Sequence, residues 1–299
     1  MTTTHDHVTS LPRTAARAAQ LVAASERTTL DPFHEVDWSI PIDNSSFHLP
    51  PELLPLYGTA VWQAMTLAEQ IAYSRHETAA MFGAGIWFEN ALMQLVLRHL
   101  VHVPIDDPSH RYLLIEVADE CRHSTMFGEY IRRAGTPVYG PTMQFDLATS
   151  TGGDRVMSYL LILAVEELLD HANRATMRDE RLHPVSRQIA KVHVLEEARH
   201  VSFAKTFLAE MWPTLSADER DIVRDAAPVL VAEVVRLNVD TRVYDNLGID
   251  DGVATVQANP HYQHNVINGL GKLTRFLSET GIIDADHANQ WASLGLIAP

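Results

Sequence analysis

The sequence predicts an all-α protein in which long helices form a bundle and further helices lie around it. Three observations predict this class. Apolar residues recur every three to four positions over most of the chain, as they do on the buried face of a helix. No alternation of apolar and polar residues persists beyond a few positions, so strands are not expected. No glycine-rich loop of the nucleotide-binding kind is present.

Helical periodicity begins near Arg13, lapses across residues 28–51 and then continues almost to the end of the chain. The predicted helical segments after the lapse cover roughly residues 52–74, 77–102, 109–134, 154–182, 185–211, 217–246, 261–280 and 284–294. The breaks between segments contain proline and glycine, which end helices, as in GTPVYGP (135–141). Ser216 with Glu219 matches a capping box, which is expected to start the helix that follows it.

The composition limits the cellular setting and the partners. Lys and Arg number 23 against 38 Asp and Glu, a formal net charge of −15, which argues against nucleic-acid and membrane-surface partners. Cys121 is the only cysteine, so no disulfide framework exists and a reducing compartment is expected. The N-terminus lacks a signal-peptide pattern. The longest apolar run, YLLILAV (159–165), is far shorter than the roughly 20 residues of a membrane span. A soluble, cytoplasmic protein is expected.

The domain organisation is simple. The polar residues 1–12 are expected to form a disordered tail. Residues 13–299 are expected to form a single domain, because no shift in composition marks a boundary.

Two stretches, DECRH (119–123) and EEARH (196–200), repeat one pattern: an acid, Glu, any residue, Arg and His. Glu-x-x-His places both side chains on one face of a helix, about one turn apart. The pattern alone is weak, because Glu180 and His183 also match it where Pro184 interrupts the helix.

The spacing of the repeat is more specific than the motif. Glu89 lies 31 residues before Glu120, and Glu166 lies 31 residues before Glu197. Two helical hairpins, each giving one Glu from its first helix and Glu-x-x-His from its second, match the ligand set of di-iron carboxylate bundles. The register also selects Glu166 over its neighbour Glu167. The predicted metal ligands from the repeat are Glu89, Glu120, His123, Glu166, Glu197 and His200.

Charge and ligand type favour two iron ions at this site. Four carboxylates on apolar helix faces would be very costly to bury unpaired, and two divalent cations would cancel their charge. Oxygen-rich ligation with one imidazole per metal suits iron better than structural zinc. The ligand types are also compatible with manganese in place of one of the two iron ions.

The two halves of the repeat differ one turn before the second glutamate, where one has His193 and the other Glu116. His193 would either bind metal or support a ligand. Glu116 is expected to support a ligand by hydrogen bonding.

Further acids lie near the same helix faces. Asp119, Glu196 and Asp170 are expected to accept the second ring N–H of a ligand histidine, which would fix its tautomer. Arg122 and Arg199 lie about 100° around the helix from the ligands and are expected to pair with acids outside the site.

Together with His193, this ligand set resembles the di-iron arylamine N-oxygenases, the group that contains p-aminobenzoate N-oxygenase. The distinguishing feature of that family is a seventh protein ligand, a histidine one turn before the last Glu-x-x-His, and His193 stands in that place. The resemblance implies a ferritin-like four-helix bundle, a homodimer and two iron ions. It also implies O2 as co-substrate, an external electron donor and oxidation of an aromatic amine to hydroxylamine, nitroso and nitro products.

Two alternatives remain at this stage. The same ligands without His193 would suit a di-iron hydroxylase or desaturase that acts on C–H bonds. A ferritin-like iron-handling protein, a ferroxidase or storage module, would use a similar site, although such modules are typically shorter than this chain.

Overall fold

The computed structural model describes residues 11–143 and 150–298, and within these ranges the chain forms helices and no strand. Most of the tail predicted for residues 1–12 lies outside the described residues. The helices are α1 (Pro12–Arg27), α2 (Pro32–Glu35), α3 (Ala60–Ala64), α4 (Leu67–Leu100), α5 (Pro108–Ala134), α6 (Gly152–Thr176), α7 (Pro184–Met211), α8 (Ala217–Leu237), α9 (Thr241–Leu247), α10 (Gly252–Gln257), α11 (Pro260–Thr280) and α12 (Ala288–Ser293).

Four long helices form the central bundle. Helix α4 pairs with α5, and α6 pairs with α7, so each predicted hairpin is present as two neighbouring helices. Helix α1 packs against both α5 and α7, while α8 and α11 pack against α6. The predicted all-α class, a bundle with additional helices around it, is therefore confirmed.

Helix boundaries follow local capping chemistry. Asp107 caps α5 and Thr151 caps α6 with their side-chain oxygens, which satisfies backbone N–H groups that have no partner within the helix. The predicted capping box of Ser216 and Glu219 is present at the start of α8. Helix α5 ends at Ala134, and the next residue, Gly135, adopts a left-handed conformation with φ of 63°, as helix C-termini often require.

Several predicted segments have different boundaries in the structure: the segment predicted at 52–74 is interrupted on both sides of α3, and the one predicted at 154–182 ends with α6 at Thr176. The break predicted between residues 74 and 77 is wrong, because α4 runs without interruption from Leu67, where Thr66 and Glu69 form a capping box. Arg75 and His76 are polar, but no glycine or proline stops the helix there. The segment predicted at 217–246 is two helices, since α8 ends at Leu237 and a new helix begins after Asp240.

Helix α4 is long and apolar enough, by composition, to cross a membrane, and 56% of its most apolar window is buried inside the protein. It is a member of the central bundle and carries the buried carboxylates of Glu77 and Glu89. Its apolar character is thus explained by packing against α5 and other helices.

Candidate metal centre

The seven side chains predicted as ligands converge inside the bundle, and each is at most 2% exposed. Every one of the four central helices contributes at least one of them. The contributions are Glu89 from α4, Glu120 and His123 from α5, Glu166 from α6, and His193, Glu197 and His200 from α7.

Two glutamates lie between two histidines at the centre. The Nδ1 atom of His123 is 2.8 Å from Oε2 of Glu120 and 3.0 Å from Oε1 of Glu197. The Nδ1 atom of His200 is 2.9 Å from Oε1 of Glu120 and 2.8 Å from Oε2 of Glu197. Each carboxylate therefore presents one oxygen to each histidine, an arrangement suited to bridging two cations.

The ligand atoms fall into two groups that share Glu197. In one group, atoms of Glu89, His123, His193 and Glu197 all lie within 4.8 Å of one another. In the other, atoms of Glu120, Glu197 and His200 do so. Such clusters of carboxylate oxygens and imidazole nitrogens are fitted to hold metal ions.

Glu166 belongs to neither close group. Both of its carboxylate oxygens are nevertheless buried without a hydrogen-bonding partner. Burial, followed by the nearby carboxylates of Glu197 and Glu89, raises its pKa well above the usual range. The phenyl ring of Phe88 and the side chain of Leu161 line a small apolar cavity beside it.

Several buried polar atoms at the centre have no hydrogen-bonding partner. They include Oε1 of Glu89, both carboxylate oxygens of Glu166 and Nε2 of His193. Leaving one such atom unsatisfied costs about 1–3 kcal/mol, and more for charged groups. A concentration of these atoms at one point is unfavourable unless a cation satisfies them, so the donor set fits a metal centre.

His193 is oriented for ligation by its Nε2 atom. That atom lies 3.6 Å from Oε1 of Glu89 and 3.6 Å from Oε1 of Glu197. On the other side of the ring, Nδ1 is 3.1 Å from the side-chain amide of Asn173. Burial lowers the pKa of His193 to about 4, so the ring is neutral at pH 7 and can offer a lone pair.

The second ring nitrogens of His123 and His200 contact acids from the opposite half of the repeat. Nε2 of His123 is 2.9 Å from Oε2 of Glu196, and Nε2 of His200 is 3.2 Å from Oδ2 of Asp119. A carboxylate can only accept, so these nitrogens donate. These contacts are the ones expected of acids that fix the tautomer of a ligand histidine, and the role of Asp119 and Glu196 beside a metal stays a prediction.

The arginines that follow these acids do not match the sequence expectation. Arg122 forms an ion pair with Asp119 and lies 3.7 Å from the carboxylate of Glu196. Arg199 lies 3.2 Å from the carboxylate of Asp119 and 3.4 Å from that of Glu196. The expectation that they pair outside the site is wrong. The sequence did contain an indication of these ion pairs, because each arginine is three residues after an acid on the same helix and therefore within reach of its side chain.

Asp170 and Glu116, the two other acids expected to support ligands, have different surroundings in the structure. Asp170 was expected to accept from a ligand histidine, but its Oδ2 instead accepts from Arg174 at 2.6 Å and from Lys272 at 2.8 Å. That expectation is not met, because Asp170 faces α11. Glu116 is buried with its Oε2 unpartnered, and burial raises its pKa to about 8.

Asn173 was missed by the sequence reasoning. It is seven residues after Glu166 in α6 and is buried. Two helical turns place it on the same face as that glutamate, which is a usable signal, although an asparagine is not itself a metal-ligand type in such repeats.

Comparison with known proteins gives a family match over most of the chain. The model of the p-aminobenzoate N-oxygenase AurF family matches residues 12–281, from the first residue of α1 to just beyond the end of α11. Similar proteins include uncharacterized proteins of Mycobacterium bovis and of two strains of Mycobacterium tuberculosis. Each is 30% identical over 212 residues, 68% of this chain. The chain covers 62% of the length of these relatives.

Proposed function

Because the chain belongs to the p-aminobenzoate N-oxygenase AurF family, with its all-α ferritin-like fold, we propose that it is a non-haem di-iron oxygenase. Its proposed reaction uses O2 to oxidise an aromatic amine to a hydroxylamine or nitro product. The observation that supports this best is the convergence of unpartnered carboxylate oxygens and a histidine nitrogen between the Glu-x-x-His motifs.

The proposed ligand assignment follows the two close groups. One iron would be held by Glu89, His123 and His193, and Glu197 would be shared. His193 is the proposed additional ligand of this iron, since its ring is neutral and its Nε2 faces the cluster.

The other iron would be held by Glu120 and His200, again with Glu197. Glu166 is the proposed further ligand here, because it stands in the repeated register and both its oxygens lack partners. When bound, the two irons would reduce O2, using electrons from an external donor; the chain supplies their geometry and environment.

The surrounding residues set the protonation state of the ligands. Donation of Nε2–H to Glu196 and Asp119 fixes the tautomer in which Nδ1 of each histidine faces the cluster. Arg122 and Arg199 balance the charge of those two acids. Four ligand glutamates with two divalent ions would then form a neutral centre inside an otherwise apolar bundle.

The direct test is turnover. Protein loaded with Fe(II), reduced and exposed to O2, should add oxygen to the nitrogen of an aromatic amine, detected by mass spectrometry across a panel of aminobenzoates and aminophenyl compounds. Oxidation at carbon with the amine untouched would contradict the proposal and favour a C–H hydroxylase. Iron that is oxidised and retained without turnover would favour an iron-handling protein.

We also propose that the enzyme is a cytoplasmic homodimer, as the family resemblance and the composition suggest. Gel filtration of the full chain tests the dimer, since a cage of the storage type would elute at a far larger size. A monomer would contradict the dimer without affecting the proposed chemistry.

A further inference from the structure

A cavity of about 120 Å³ lies beside the bundle, lined by residues of α4, α6, α8 and α11, by Asn238 after α8 and by the segment before α3. Its walls are mainly apolar, with Leu49, Met81, Leu169 and Val266 among the lining side chains. An apolar cavity of about 150 Å³ is enough to hold a benzene molecule. The space is therefore of the order required by one aromatic ring.

Glu77 is the one acid among the described residues that line this cavity. Its side chain is 4% exposed, and its Oε1 is buried without a hydrogen-bonding partner. Burial raises the pKa of the Glu77 carboxyl to about 7, against the opposing effect of the Tyr73 and Tyr244 hydroxyls beside it. A buried oxygen without a partner is costly, so a ligand group that donates to it would be strongly favoured.

The remaining polar groups among the described lining residues are those of His171, Asn238, Tyr262 and Asn265. They include no cation that would pair with a carboxylate. No arginine or lysine is among the described lining residues. Burial lowers the pKa of His171, which leaves that ring neutral at pH 7. Asn265 already donates its amide to the backbone oxygen of Glu52 at 2.7 Å. An anionic group in this cavity would meet Glu77 with no cation to offset it.

The cavity follows the same two helices that carry proposed ligands. Met81 precedes Glu89 by two turns on α4, about 12 Å along the axis, and both residues lie on that helix. On α6, Leu169 follows Glu166 by about one turn. The cavity is thus lined by the two helices that carry Glu89 and Glu166, and its wall at Leu169 is about one helical turn from Glu166.

We propose that this cavity binds the distal part of the substrate, and that Glu77 selects an aromatic amine whose second polar group is cationic or donates hydrogen bonds. The proposal rests on the proposed function, whose substrate class it narrows. It predicts that p-aminobenzoate is disfavoured while Glu77 is ionised, because the para carboxylate of that molecule would then lie against a second carboxylate.

The test is equilibrium binding of three matched probes to the iron-loaded full chain by calorimetry at about pH 8, above the pKa of Glu77. The probes are para-(aminoethyl)aniline, para-propylaniline and p-aminobenzoate, which differ in the charge of the group opposite the amine. We expect the ammonium probe to bind at least about tenfold more tightly than p-aminobenzoate, with the neutral probe between them. A hydrogen bond to a charged group supports a difference of this size.

Two variants test whether the cavity causes the preference for the ammonium probe. Glu77→Gln keeps the shape but removes the charge, and should reduce the preference for the ammonium probe over the neutral one by about tenfold. Ala172→Leu narrows the cavity without altering charge and should weaken all three probes together. Circular dichroism of both variants checks that the helices are retained, and either variant alone is sufficient if the other does not fold.

Equal or tighter binding of p-aminobenzoate, an unchanged preference in Glu77→Gln, or no binding of any probe would overturn the proposal. Iron content and oxygen addition at nitrogen are measured on the same samples. If iron is bound and oxygen is added at nitrogen but the probes show no charge preference, the proposed role of Glu77 is wrong and the proposed function stands. If iron is not bound, the proposed function fails, and the binding data then refer to the cavity alone.

Discussion

Nε2 of His123 lies 2.9 Å from Oε2 of Glu196, a residue of the other copy of the repeated motif. The reciprocal contact joins His200 to Asp119 at 3.2 Å. Each half of the repeat therefore orients the histidine of the other half, and the two hairpins are connected through the site itself. Burial alone would lower the pKa of His123, but its hydrogen bonds to Glu120 and Glu196 hold that pKa well above the usual range.

This cross-contact predicts that Glu196→Ala lowers the affinity for Fe(II) by about 10–100-fold, the effect usual for a residue that orients a metal-ligating histidine. Without Glu196, the ring of His123 loses the acceptor that fixes its tautomer. Anaerobic Fe(II) titration measures the change, with Glu279→Ala as an exposed control on α11. Equal affinities of the two variants would mean that Glu196 does not orient the ligand.

The metal count is the next prediction. Anaerobic loading should give two irons per chain, and Glu120→Ala or Glu197→Ala should lower that number while helical circular dichroism is retained. Glu120 is a proposed ligand of one metal and Glu197 of both, so either loss should lower the iron content. A stoichiometry of one or zero in the native chain would contradict the di-iron proposal.

The matched control for this experiment is Glu180→Ala. Glu180 begins a third Glu-x-x-His sequence, but it is exposed and no partner lies 31 residues before it. Iron content should be unchanged in this variant. A loss equal to that of Glu120→Ala would indicate a general effect of removing a carboxylate.

His193 gives a prediction that separates a ligand from a buried support. If its Nε2 binds iron, His193→Ala should keep much of the metal but shift the optical and Mössbauer spectra of the loaded protein. His99→Ala is the control, since His99 is also buried but contacts Tyr159 at 2.8 Å. Spectra of His193→Ala identical to those of the native chain would assign His193 a structural role.

The candidate ligands could be proposed from the sequence because a fixed spacing singles them out. Two equal steps of 31 residues brought Glu89 and Glu166 into consideration although neither is in a recognisable motif. The structure brings both into the bundle core. By contrast, the environment of Asp170 depends on Lys272, which is distant in sequence, and helical periodicity carries no information on which flanking helix covers α6.

The boundaries of the helices were predictable only where local chemistry determines them. The capping box at Ser216 has a sequence signature, and it was located correctly. The continuity of α4 through Arg75 and His76 was not predicted, because it is stabilised by burial of neighbours such as Tyr73 and Glu77. Tertiary packing overrides the local polarity there.

The last prediction concerns how the stability of the chain depends on pH through Glu77. Its carboxyl has a pKa of about 7 in the folded chain against 4.5 ordinarily, so folding favours the protonated form. Below pH 4.5 both states are protonated and Glu77 contributes no pH dependence. Between pH 4.5 and about pH 7 only the unfolded chain loses the Glu77 proton. The free energy of unfolding therefore falls as pH rises through this window, by about 3 kcal/mol in total.

Urea unfolding of the iron-free chain at pH values on either side of this window measures the effect. In Glu77→Gln the side chain cannot ionise, so the decrease should be smaller by about 3 kcal/mol than in the native chain. The neighbouring hydroxyls of Tyr73 and Tyr244 do not interfere, because burial raises both pKa values further above their ordinary range. Glu279→Gln, exposed on α11, should follow the native curve. If Glu77→Gln followed the native curve as well, the Glu77 carboxyl would ionise in the folded chain at the same pH as in the unfolded chain, and the prediction would be wrong.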